Sequence, residues 1–132
     1  MKLKWDNQGI KSPLAKARGL GAAGGTEHWM AQRITAVALI PLVLWLVYSI
    51  VNLIGASHAE FLAWQAMPLN AILMIALVIA ALYHGFLGAQ VVIEDYIHHE
   101  GFKMFKLIGT KLFFVLMGIA AIFSILKIAF GA

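Results

Sequence analysis

The stretch LNAILMIALVIAALYHGFLGAQVVI, residues 69–93, decides the fold. It contains no Lys, Arg, Asp or Glu, and it exceeds the roughly 20 apolar residues that a helix needs to cross a bilayer. His84 sits inside it, in the run Leu82-Tyr83-His84-Gly85-Phe86-Leu87-Gly88. An ionisable side chain at that depth is costly, so by default it marks a functional site. Histidine is also suited to hold a haem iron, and glycine at the next position and four residues on would clear space beside it. Two plainer readings stand alongside: a lone intramembrane His can simply hydrogen-bond a neighbouring helix, and Gly85 and Gly88 can simply let helices approach closely.

Composition agrees with lipid as the solvent. Of 132 residues, 62% are hydrophobic and only 12% are charged, far too apolar for a soluble domain of this size. There is no cysteine, which excludes disulfides, iron–sulfur ligation, thiolate zinc sites and thiol catalysis within the chain. Any metal must be held by His or carboxylate, or belong to a cofactor. The net charge of +4 does not point to nucleic acid, because the basic residues cluster at the ends of apolar segments and form no stripe with interleaved aromatics.

Outward from residues 69–93, two further spans are expected. The first covers about 34–54, without a charge; the third covers about 108–130, where Lys111 and Lys127 bracket a short apolar stretch and snorkel toward the interfaces. The fold class is therefore all-α integral membrane, with a polar, basic N-terminal arm over residues 1–30 and a three-span domain over 31–132. The apolar run after the arm begins too late and runs too long for a cleavable signal, and the arm lacks the Ser- and Arg-rich amphipathic character of a mitochondrial presequence. A bacterial cytoplasmic membrane is the expected location. Lys2, Lys4, Lys11, Lys16, Arg18 and Arg33 precede the first span, residues 55–67 carry no Lys or Arg, and Lys103, Lys106 and Lys111 follow the second. The positive-inside bias places the N-terminus and the second loop in the cytoplasm, with Trp29 and Tyr96 near that interface and Trp64 near the other. Pro68 suits the first turn of the second helix. Gly19-Leu20-Gly21-Ala22-Ala23-Gly24 matches G-x-G-x-x-G, but no strand precedes it and no βαβ unit follows, so it reads as arm and not as a dinucleotide site.

The second span carries the chemistry. At about 100° per residue, Gly88 falls about 40° and Asp95 about 20° from His84, with Asp95 about 16 Å along the axis. One face thus has an imidazole inside the membrane, a small residue beside it and a carboxylate where the helix leaves the lipid. Tyr96, next to Asp95, could donate a hydrogen bond to a carbonyl at the interface, and an apolar carbonyl compound dissolved in the membrane, such as a quinone, would suit that position. Asp95 and Tyr96 also read as a solvated helix end and a belt aromatic. Arg33 reads as a positive-inside anchor, and its position also suits a haem propionate. His28 is an interfacial polar residue, and His58, His98 and His99 fall in loops.

These residues resemble a known family. Thr26-Glu27-His28-Trp29 followed by Gln32-Arg33-Ile34-Thr35-Ala36, then His84 through Gly85, Gly88, Gln90 and Val91 to Asp95-Tyr96, resemble the smaller hydrophobic membrane anchor of bacterial succinate dehydrogenase. The resemblance covers the chain from Arg18 onward. It implies a four-subunit succinate:quinone oxidoreductase of the tricarboxylic acid cycle and respiratory chain, passing electrons from succinate to ubiquinone. Its partners would be a flavoprotein subunit, an iron–sulfur subunit and a second membrane anchor subunit, which forms a helical bundle with this chain and shares one haem b with it. By the same resemblance His84 is an axial haem ligand, Tyr96 hydrogen-bonds the quinone, Asp95 lies beside that site or on its proton path, and Arg33 approaches a propionate. The chain alone would catalyse nothing. A fumarate reductase anchor, which runs the reaction the other way, and a small non-redox transport or assembly protein are the alternatives. The second would call for intramembrane polar residues on several helices, whereas the first and third spans offer only Tyr48, Ser49, Asn52 and Ser124 away from their edges.

Overall fold

The computed structural model describes residues 22–131, with side chains from Glu27 onward. The basic residues Lys2, Lys4, Lys11, Lys16 and Arg18, and Gly19 to Gly21 of the glycine-rich motif, lie outside the described residues. Those described form four helices: α1, Ala22–Asn52; α2, His58–Ala66; α3, Pro68–Tyr96; and α4, Glu100–Ala129. No strand occurs among them. Three are long and apolar enough to cross a membrane, over Glu27–Asn52, Pro68–Tyr96 and Glu100–Ala129. The expected three-span, all-helical architecture holds.

The helices extend further than the expected spans. α4 begins at Glu100 and not near residue 108, so that Lys103, Lys106 and Lys111 ride on helix instead of a loop. Its start is capped by His99, whose Nδ1 accepts the Phe102 N–H at 3.2 Å, which gives a residue expected in a loop a defined task. Residues 22–30, expected as arm, are helical and lead into the first span. Pro41 lies inside α1 without ending it, as lipid-facing helices tolerate.

The stretch 55–67, expected as a plain loop, instead holds α2, which His58 opens. The sequence Ser57-His58-Ala59-Glu60 explains this: Ser57 Oγ accepts the Glu60 N–H at 3.2 Å, and Glu60 Oε2 accepts the Ser57 N–H at 2.6 Å, a complete capping box. The chain reaches it through Gly55, whose φ of +83° is the left-handed conformation that glycine adopts without strain. The corner from α2 into α3 is one residue, Met67, which ends one helix and precedes the other. Pro68 then occupies the first turn of α3, as expected, and Asn70 Nδ2 donates to the Trp64 carbonyl at 2.8 Å, satisfying an oxygen at the end of α2. Trp64 stacks on Trp45 of α1, with ring centroids 5.8 Å apart and planes 19° from parallel.

The chain divides into two units, residues 1–34 and 35–132. In the first, the Arg33 guanidinium lies 5.5 Å from the centroid of the Trp29 ring, a cation–π contact suited to an interfacial pair. In the second, α3 packs on α4, and α2 packs on both. Phe86 meets Phe114 edge-on at 6.1 Å, and Gly85 lets the Phe114 ring come close to the α3 backbone. Only 6% of the most apolar window of α1 or α4 is buried within the chain, against 22% for α3, so α3 is the central helix and the other two present their apolar surface outward.

Candidate functional site

The inward face of α3 is defined by Asn70, Leu77, Ala80 and Leu87, all buried. By helical rotation each lies within about 60° of His84, so the imidazole belongs to that face although it is itself half-buried. At 1.5 Å per residue His84 stands about 24 Å from Pro68 and about 18 Å from Tyr96, well inside the apolar part of the helix. A polar ring there needs a partner, since no water competes for it in hydrocarbon.

That partner is Thr35 on α1. Its Oγ1 lies 3.0 Å from His84 Nδ1, across 49 residues of sequence, and Thr35 is only 9% exposed. The plain expectation that an intramembrane His bonds a neighbouring helix is therefore met, and it leaves the metal-binding reading intact. With Nδ1 engaged, Nε2 is the nitrogen whose lone pair remains for an iron. Sequence reasoning places Thr35 within a motif block but gives it no role; a hydroxyl near the start of an apolar span is the only signal it offers.

The two glycines divide the two roles open to them. A Cβ on Gly85 would come within 3.3 Å of Phe114 Cε1, so Gly85 serves the packing of α3 on α4. A Cβ on Gly88 would meet nothing within 4 Å, and Gly88 lies one turn from His84 on its own face. Ala81, about 60° from His84 on the same flank, is exposed. One side of the imidazole is thus buried among Ala80 and Leu87, and the other is open and lined by the smallest residues. The donor set fits a haem better than a bare ion: among the described residues no three His, Cys, Asp or Glu side chains converge, whereas a single imidazole with a free Nε2 beside open space is what a shared axial position requires.

Asp95 and Tyr96 end the same helix, and both are exposed. Asp95 lies about 20° from His84 around the axis, whereas Tyr96 lies about 120° away, so the phenol leaves the helix on another side. Tyr96 is 78% exposed, with its backbone still helical and the chain turning away at Ile97. Arg33 belongs to the first unit, with Trp29 as its ring partner. The polar residues of the outer spans are satisfied locally: Asn52 Nδ2 donates to the Tyr48 carbonyl at 3.0 Å and Ser124 Oγ to the Ala120 carbonyl at 2.8 Å, each within its own helix.

Three long apolar helices with one imidazole tied between two of them define an integral membrane subunit with a single cofactor-type ligand. The chain belongs to the succinate dehydrogenase/fumarate reductase transmembrane subunit family, whose sequence profile matches residues 8–126. A relative from Rickettsia bellii, named succinate dehydrogenase hydrophobic membrane anchor subunit, is 38% identical over 119 residues, covering 88% of this chain and 94% of the relative. Proteins of the same name from Rickettsia conorii and Paracoccus denitrificans are each 30% identical, over 118 and 122 residues and 94% of their own lengths. No solved structure gives a significant match. The chain is therefore a multi-pass membrane subunit of an oxidoreductase complex and is not an enzyme by itself.

Proposed function

We propose that this chain is the hydrophobic anchor of a succinate:quinone oxidoreductase in a bacterial cytoplasmic membrane, with its N-terminus in the cytoplasm. It shares one haem b with a second anchor subunit and forms part of the site where ubiquinone is reduced. The observation that carries this reading is the His84 ring, fixed at Nδ1 3.0 Å from Thr35 inside an apolar helix, with open space at Gly88. The names of the relatives support succinate dehydrogenase over fumarate reductase within the family.

His84 would hold the haem through Nε2, and Gly88 and Ala81 would leave room for the edge of the macrocycle. When bound, the haem supplies a one-electron redox centre inside the membrane. Arg33, close to the interface, would pair with a propionate. Tyr96 would donate its phenolic proton to a quinone carbonyl and so fix the head group at the cytoplasmic end of α3. Asp95 beside it would accept protons from cytoplasmic water and pass them to the reduced quinone. The helices exclude water from the rest of the site and hold these groups in place. Flavin and iron–sulfur chemistry would belong to two soluble partners on the cytoplasmic face, a flavoprotein and an iron–sulfur subunit.

The test is a reduced-minus-oxidised visible spectrum of the detergent-extracted complex, with wild type beside His84→Ala. A b-type α band in wild type that is absent from the variant, with all three spans still inserted, is the expected result. A variant that keeps the native band removes His84 as ligand.

A further inference from the structure

The contact between Thr35 and His84 is more specific than helix packing requires. It joins α1 to α3, it is made by a threonine that is 9% exposed, and it engages the one ring nitrogen that faces away from open space. A neutral imidazole carries one proton, and a ligand lone pair at Nε2 requires that proton on Nδ1. Nδ1–H must then donate, and Thr35 Oγ1, with two lone pairs, can accept while its own O–H serves another acceptor. Threonine is branched at Cβ and therefore stiff at χ1, so the acceptor stays fixed on the helix. In surroundings without competing water, the wrong tautomer or a rotated ring would forfeit a bond that nothing replaces.

We infer that Thr35 is the positioning residue of the haem ligand: by accepting the Nδ1–H bond it selects the tautomer that leaves Nε2 unprotonated, sets the plane of the ring, and raises the basicity of the imidazole. This inference rests on the ligation by His84 proposed above. A neutral hydroxyl draws on the N–H less than a carboxylate would, so the ligand is made moderately electron-rich. An electron-rich axial ligand favours the ferric over the ferrous haem, and removing the hydroxyl should shift the balance the other way. Outer partners of metal-bound histidines typically contribute about 10- to 100-fold in affinity, which sets the scale of the loss.

The experiment uses the purified four-subunit complex with Thr35→Val, which keeps the shape and loses the hydroxyl, Thr35→Ser, which keeps the hydroxyl and loses the methyl, and His84→Ala. Three readouts apply: haem-to-protein ratio, the haem midpoint potential by spectroscopic redox titration, and the low-temperature electron paramagnetic resonance signal of the ferric haem. Thr35→Val is expected to retain haem poorly, to titrate at a more positive potential and to show altered g-values, while Thr35→Ser matches wild type in all three. Should Thr35→Val hold no haem at all, wild-type haem content in Thr35→Ser assigns the loss to the hydroxyl, and equal loss in both overturns the inference. A Thr35→Val complex with wild-type potential and g-values, or with a potential shifted negative, also overturns it, with His84 ligation untouched provided His84→Ala has lost its haem. A His84→Ala complex that keeps the native spectrum, or a wild type without haem, defeats the parent reading and this inference with it.

Discussion

At the scale of single residues, the two glycines of the His84 run give opposite expectations. Gly85→Ala forces the Phe114 ring back from a 3.3 Å approach and should cost about 1 kcal/mol of packing, measured as a lower unfolding midpoint of the complex in detergent. Gly88→Ala should leave that midpoint unchanged, since its Cβ enters open space, whereas Gly88→Leu should lower haem content by filling the space beside His84. Tyr96 acts at the other end of the helix. Its phenol is exposed and contributes no packing, so Tyr96→Phe should leave assembly intact. Loss of one hydrogen bond to quinone should slow quinone reduction about three- to tenfold, with succinate oxidation by an artificial dye unaffected. Unchanged quinone kinetics in that variant would take Tyr96 out of the site.

At the scale of elements, α2 depends on its capping box more than on its composition, because nine residues are too few to form a stable helix by propensity alone. Ser57→Ala removes the acceptor of the Glu60 N–H and should cost about 1 kcal/mol, seen as roughly fivefold weaker protection of the α2 amides against hydrogen exchange. The same box responds to pH. The Glu60 carboxyl is held below its ordinary value of 4.5, first by the Ser57 backbone N–H and then by the Ser57 side chain. A lowered folded-state value means that Glu60 contributes stability above its unfolded pKa and loses it as the pH falls through the lower folded value. Protection of α2 should therefore be constant near neutrality and decline only below about pH 4.5, and Glu60→Gln should abolish that decline. A decline already complete at pH 6 would assign it to another group.

At the scale of the whole molecule, α1 and α4 leave nearly all of their apolar surface uncovered by the chain itself, which suits helices that face lipid and a partner subunit. An odd number of spans puts the two ends of the chain on opposite sides, and the distribution of Lys and Arg assigns the sides. Because the chain has no cysteine, single cysteines report this directly. Cysteine at His98 should react with a membrane-impermeant maleimide only from the cytoplasmic side, in inverted vesicles, and cysteine at Ala59 only from the outside, in intact cells. Labelling of both positions from one side would refute the assigned topology.

The spans, the family and the central place of His84 are legible in the chain alone, because each follows from quantities local to it. Hydropathy over about 20 residues decides insertion, and helical periodicity decides which residues share a face. The onset of α2 is written there as well, in Ser57 and Glu60, although a nine-residue amphipathic segment between two spans is masked by its neighbours. Folding was needed to bring Thr35 to Nδ1, to set Gly85 against Phe114 while Gly88 stays open, and to place His99 over the start of α4. For the first two the cause is shared. Which nitrogen of a ring is engaged, and which of two glycines is covered, depend on how one helix is rotated against another, and that rotation is set by side chains distant in sequence whose packing leaves no periodic mark on either helix alone.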